Sequence, residues 1–116
     1  HNDLLKICTT DYSKFAQLVD IVLNFVESIG AKLYHYREND TGVEVDAIVE
    51  LSDGEYGAIE IKLGSNKIEE AVESLNRFYN LAEVKPKFMC VICGLYDAVV
   101  KRPDGIYIFP ITALKP

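Results

Sequence analysis

Two runs of alternating residues joined by a short polar turn limit what this chain can become. In residues 43 to 51, Val43, Val45, Ala47, Val49 and Leu51 form one face, and Glu44, Asp46, Ile48 and Glu50 form the other. Residues 56 to 63 alternate again, with Gly57, Ile59, Ile61 and Leu63 set against Tyr56, Ala58, Glu60 and Lys62. A period of two marks a strand with one face buried, and two such runs around Asp-Gly predict a β-hairpin. A loop of Ser52, Asp53 and Gly54 puts Gly54 at the left-handed position, which glycine tolerates best. Leu51 then faces Glu55, Asp46 opposes Glu60, and Glu44 opposes Lys62. The shorter Asp53-Gly54 loop would pair Asp46 with Ile61 and set polar against apolar on both faces, so the alternation rejects it.

The flanking segments fill in an α/β order. Phe15, Leu18, Val19, Val22, Val26 and Ile29 lie at helical spacing and predict a helix over 12 to 29, started by Asp11 or Ser13 and ended near Gly30. Lys32 to Arg37 is aromatic and alternating, so it reads as a strand before the turn at 38 to 42. After Gly64-Ser65-Asn66, the stripe Ile68, Ala71, Val72, Leu75, Phe78 and Ala82 predicts a second helix. Lys87 to Cys93 is nearly all apolar and reads as a central strand. A closing hairpin follows: Ala98 to Lys101, a turn at Pro103-Asp104-Gly105, then Ile106 to Phe109. The strand–helix–strand crossover implies a parallel pair inside a mixed sheet flanked by helices.

Composition bounds the function. The 116 residues suffice for one domain over 1–116, and a first residue of His reads as a piece of something longer. No apolar run approaches the roughly 18 residues of a membrane span, and no secretory signal opens the chain. The net charge of −6 disfavours a lone high-affinity nucleic-acid binder, because that binding leans on Lys and Arg. Cys8, Cys90 and Cys93 are too few and too unevenly placed for a disulfide scaffold, and fit a reducing, cytoplasmic setting. Cys90 and Cys93 spell CxxC, but residues three apart on a strand face opposite ways, so core packing is expected.

The hairpin register has a chemical consequence. Asp46 and Glu60 become cross-strand neighbours, roughly 5 Å apart at Cβ, where like charges destabilise. A divalent cation, a proton, or Lys62 on the same face would compensate. Mg²⁺ takes one or two protein carboxylates with waters and phosphate oxygens, so the layout suits metal-assisted phosphodiester hydrolysis. Asp46, Glu60 and the carbonyl of Ile61 are the expected ligands, and Lys62 the group that orients water or steadies developing charge. The plainer reading stands beside it: half-exposed sheets often carry Glu–Lys pairs.

Asp46 followed by Glu60-Ile61-Lys62, on a hairpin between two helices, resembles the PD-(D/E)XK nuclease superfamily. The resemblance implies a restriction-endonuclease-like fold, with Asp46 and Glu60 on Mg²⁺ or Mn²⁺, Lys62 catalytic, and DNA or RNA as substrate. A closer likeness lies in Tyr34-His35-Tyr36-Arg37, Gly42 to Ile48, Ala58 to Gly64 and the ending Pro110 to Pro116. These are similar to the uncharacterised C-terminal domain of bacterial and archaeal AAA-type P-loop ATPases. That likeness implies an ATPase domain in the same chain, although no phosphate loop occurs here. Many nucleases of the superfamily add an acid from the first helix; Asp20 and Glu27 are the candidates, and both also read as surface residues. The alternative is an inactive accessory domain that binds a protein partner or regulates the ATPase.

Other polar residues carry weaker signals. His35 reads as a packed or surface histidine, and His1 is the only other one. Glu44 either extends the metal site or pairs with Lys62. Ser65, Asn66 and Lys67 open a helix where an anion can dock, or Ser65 and Asn66 simply cap it. Lys85, Lys87, Lys101 and Arg102 are scattered and form no basic stripe.

Overall fold

A computed structural model describes residues 12–94 and 98–114, with side chains from residue 20 onward. His1, Cys8, Asp11, Lys115 and Pro116, and the side chains of Ser13, Phe15, Leu18 and Val19, lie outside the described residues. The order is α1 (Tyr12–Ser28), β1 (Lys32–Arg37), β2 (Glu44–Glu50), β3 (Tyr56–Lys62), α2 (Ile68–Leu81), β4 (Phe88–Cys93), β5 (Val100–Lys101) and β6 (Tyr107–Pro110). Single 3₁₀ turns at Ser65–Lys67 and Ile111–Leu114 precede α2 and follow β6. The strands form one six-stranded mixed sheet in the order β1-β2-β3-β4-β6-β5. β4 pairs in parallel with β3 and with β6, and the remaining pairs are antiparallel. This is the α/β mixed sheet with flanking helices that the sequence predicts.

The hairpin register is also the expected one. Ala47 opposes Ile59 and Val49 opposes Gly57. Leu51 N–H donates to the Glu55 carbonyl at 2.8 Å, and Gly54 sits at φ +86°. The β5–β6 turn repeats the device: Arg102 N–H donates to the Ile106 carbonyl at 2.9 Å, with Gly105 at φ +88°. Both loops need a residue that enters the left-handed region without strain, and glycine supplies it.

Each face of the sheet builds its own core. On one side Val22 and Val26 of α1 pack with Ala47, Val49, Ile59 and Ile61. On the other, Ala71, Val72 and Leu75 of α2 pack with Val43, Val45 and Ala58. β4 serves both, with Cys90 and Ile92 turned to α1 and Val91 and Cys93 to α2. Both cysteines are buried thiols, as expected for core residues.

Two expectations are corrected. Val43 and Val45 do not share a face with Ala47 and Val49; they lie in opposite cores. The cause is a register shift between β1 and β2. Tyr34 pairs with Ile48 but Tyr36 with Val45, so His35 alone spans Asp46 and Ala47. An extra residue on one strand is a β-bulge, and it inverts the alternation beyond it. Second, neither Ser65 nor Asn66 caps α2. Lys67 takes the N-cap position without a side-chain cap bond, because the 3₁₀ turn satisfies the approach: Lys67 N–H donates to the Gly64 carbonyl at 3.1 Å.

Close packing between β3 and β4 explains Gly57. A Cβ there would fall 2.1 Å from the Phe88 ring. Gly57→Ala is therefore expected to destabilise the domain by about 1–3 kcal/mol through overpacking. Urea denaturation checks this; a variant as stable as the parent would show that the Phe88 ring moves aside freely.

Candidate functional site

The bulge places Asp46 where the β2–β3 ladder stops. Hydrogen-bonded pairs recur every second residue in an antiparallel pair, so after Ala47–Ile59 the next would be Val45–Ile61. Instead, Ile61 N–H donates to Asp46 Oδ2 at 2.7 Å. The backbone N–H of Asp46 in turn donates to Glu60 Oε2 at 3.1 Å. The Asp46 carboxylate thus stands in for the Val45 carbonyl, and the Glu60 carboxylate gives the Asp46 N–H a partner that the regular ladder would not. Asp46 and Glu60 are the two buried charged residues among the described residues, at 8% and 3% exposure. Burial of this depth is rare for acids unless they are paired or hydrogen-bonded. No described buried side-chain nitrogen or oxygen lacks a partner.

The cross-strand pairing expected of Asp46 and Glu60 is therefore met, with a difference. The two side chains do not stand side by side above the sheet; they reach into the ladder between β2 and β3. Glu60 lies between Ile59 and Ile61, which face α1, so its own side belongs to α2. Lys62 follows on that side and is half-buried. The alternation of carbonyls turns that of Ile61 toward β2 and Asp46, because the carbonyls of Tyr56 and Lys62 go to the β4 side.

Electrostatics set the protonation of the pair. Glu60 is pushed up to about 9, first by burial, then by the Asp46 charge, then by a hydrogen bond with the Asp46 side chain. The Lys62 charge and the Asp46 N–H pull the other way and do not prevail. Around neutral pH Glu60 keeps its proton. Of the three compensations that the like-charge pair demands, the proton dominates in the metal-free protein.

The remaining candidates divide. His35 is half-buried, and its Nδ1 lies 3.4 Å from the Asp46 carbonyl, which requires a proton on Nδ1 to make a bond. Residue reasoning missed this contact. No short turn fixes the β1–β2 register, so only the bulge reveals that His35 spans Asp46. Glu44 pairs at 3.4 Å with Arg37, its register partner on β1, rather than with Lys62. Asp20 and Glu27 are exposed on α1, across the sheet from Glu60. Among the described residues, no group of three or more His, Cys, Asp or Glu is placed to hold a metal ion. The donor set at the pair itself, two carboxylates and a carbonyl, is all oxygen and fits a hard cation.

Among the described residues the cations are scattered in separate pairs. Lys87 pairs with Glu55 at 2.6 Å, Lys67 with Glu70 at 3.5 Å, and Arg102 with Glu69 at 2.7 Å. No described helix is long and apolar enough to cross a membrane.

The family model described as "Domain of unknown function (DUF4143)" matches residues 19–114, and the chain belongs to that family. The matched span takes in the whole sheet, the bulge and both buried acids. No curated protein and no solved structure matches the chain.

The protonation of Glu60 carries a pH signature. Between about 4.5 and about 9 the folded protein binds a proton that the unfolded chain has released, so stability falls as pH rises across that window. Thermal melts of the metal-free domain are expected to show this fall, and Glu60→Gln to flatten it. A parent whose melting temperature is level from pH 5 to 9 would show that Glu60 ionises normally.

Proposed function

We propose that this DUF4143 domain is a metal-dependent nuclease-like module of the PD-(D/E)XK type, working beside an AAA-type ATPase domain of the same protein. The observation that carries the reading is the burial of Asp46 and Glu60 together, with Lys62 two residues along. Burying two acids against each other costs stability, and an apolar pair of similar size would spare it. The arrangement makes physical sense if a cation replaces the proton during work.

Asp46, Glu60 and the Ile61 carbonyl would hold Mg²⁺ or Mn²⁺. A bound ion would polarise the scissile phosphate and acidify a water. The chain's own residues do the rest. Asp46 stays anchored to the Ile61 N–H, which fixes one carboxylate oxygen and leaves the other for the ion. Glu60 would have to lose its proton to bind the ion, so affinity would rise with pH. The Lys62 ammonium lies beside the pair and steadies negative charge developing on a phosphate. His35 holds the bulge through the Asp46 carbonyl and acts as a positioning residue. With a net charge of −6, the domain relies on the ATPase or another domain to retain DNA or RNA.

A second reading has its own observation. The acids already satisfy the backbone N–H groups of Asp46 and Ile61, and no group of three or more His, Cys, Asp or Glu is placed to hold a metal among the described residues. An accessory domain that regulates the ATPase through protein contacts would keep such a pair for its strand-locking role.

Calorimetric titration with Mn²⁺, with and without DNA, separates the two. The nuclease reading expects saturable binding that Asp46→Asn weakens at least as far as the roughly 10–100-fold lost on second-shell changes. Lys62→Ala should bind metal like the parent yet lose cleavage by the full protein. Absence of binding under both conditions, with ATPase activity altered by deleting the domain, would establish the accessory reading.

A further inference from the structure

A second concave site lies on the same side of the sheet, near the β2–β3 turn. Glu60 lies four positions along the strand from Tyr56, a distance of roughly 13 Å. The cavity has a volume of about 340 Å³ and is walled by Tyr36, Tyr56 and Phe78, with Glu50 and Glu83 at its rim. Phe78 is the buried floor. The two tyrosine rings stand nearly at right angles to it, at 76° and 85°, with centroids 5.1 and 6.3 Å away. Three rings thus make a box rather than a stack.

The box is held in shape before anything enters it. Tyr36 Oη donates to Glu38 at 2.9 Å, and Tyr56 Oη donates to the Val84 carbonyl. The second bond ties the wall to the segment that carries Glu83. Rings fixed in this way lose little freedom on binding. Val84, at the edge of the box, is 71% exposed, and Leu81, at the end of α2, is 51% exposed. Large apolar side chains around a pocket are the dress of a protein contact, not of a free solute site.

The rim of the box is acidic, and Lys32, which stands opposite Glu50 in the β1–β2 register, makes no ion pair with it among the described residues. Glu50 and Glu83 are both exposed, and among the described residues neither has an ion-pair partner. Two other nearby lysines are occupied elsewhere: Lys87 with Glu55, and Lys85 on the Tyr79 carbonyl and over the Tyr79 ring. The C-terminal end of α2 closes the box at Ala82, and its last turn holds no basic residue. A helix end of that kind also favours a cation. Aromatic faces attract cations through their quadrupoles, and guanidinium both stacks on rings and bonds carboxylates in a fork.

We propose that the Tyr36–Tyr56–Phe78 box, with its Glu50 and Glu83 rim, docks an arginine side chain presented by a protein partner. The site is separate from the acid pair and does not depend on its chemistry. An arginine at the centre of a small contact matches the composition of binding hot spots.

The test is an amide-resolved NMR titration of the chain with N-acetyl-arginine amide and, in parallel, with the uncharged citrulline analogue. The arginine probe is expected to give saturable shifts at Gly54, Tyr56, Ala82 and Glu83, with citrulline at least tenfold weaker. The double variant Glu50→Gln and Glu83→Gln alters exposed residues only and should weaken arginine binding about tenfold while leaving the spectrum folded. Tyr36→Leu removes one wall and should do the same. Equal response to citrulline, shifts centred elsewhere, or no shift at tens of millimolar would each overturn the proposal.

Discussion

The extra residue in β2 governs much of what is distinctive in this domain. Without it, β2 would run as a plain alternating strand, with Val43, Val45, Ala47 and Val49 all under one helix. Because His35 spans both Asp46 and Ala47, the strand rolls over midway. Its first half feeds the α2 core and its second half the α1 core. The same roll brings Asp46 down into the ladder, where its carboxylate takes the N–H of Ile61 and its N–H meets Glu60. A local irregularity thus sets up both the division of the core and the acid pair, as bulges beside sites commonly do.

The acid pair is held by opposing terms. Desolvation and mutual repulsion favour a neutral Glu60, while Lys62 and a backbone donor favour its anion. Burial wins in the metal-free protein. A cation arriving at the pair would add a positive charge at short range in a poorly solvated place, where Coulomb terms are strong. A cation bound there would have to displace the proton that burial retains.

Much of this was legible in the residues, and the exceptions have physical reasons. The hairpin register followed from alternation plus Gly54, since a slip of one residue would have exchanged every side chain between faces. The central place of β4 followed from Phe88 to Cys93 being apolar on both sides. The bulge left no mark, because alternation of residue type survives it: Val45 and Ala47 are both apolar and both find a core. His35 and Arg37 could not be matched to Asp46 and Glu44 while the β1–β2 register was open. The failed caps at Ser65 and Asn66 show a 3₁₀ turn doing by backbone bonds what a side chain was expected to do. The pairing of Asp46 with Glu60 was readable; their insertion into the ladder was not.

Cys90 and Cys93 sit three residues apart on the central strand, yet each is sealed beneath a different helix. Burial pushes the Cys90 thiol up to about 12, so almost none of it is thiolate in the folded state. Cys93 is wholly buried, and Cys90 borders only the apolar cavity beneath α1, so loosening of each layer speeds attack on its own sulfur. The strand therefore carries two chemical clocks: alkylation at Cys90 times the opening of the α1 layer, and alkylation at Cys93 that of the α2 layer. Their ratio measures whether the two halves of the sheet come apart together or in turn.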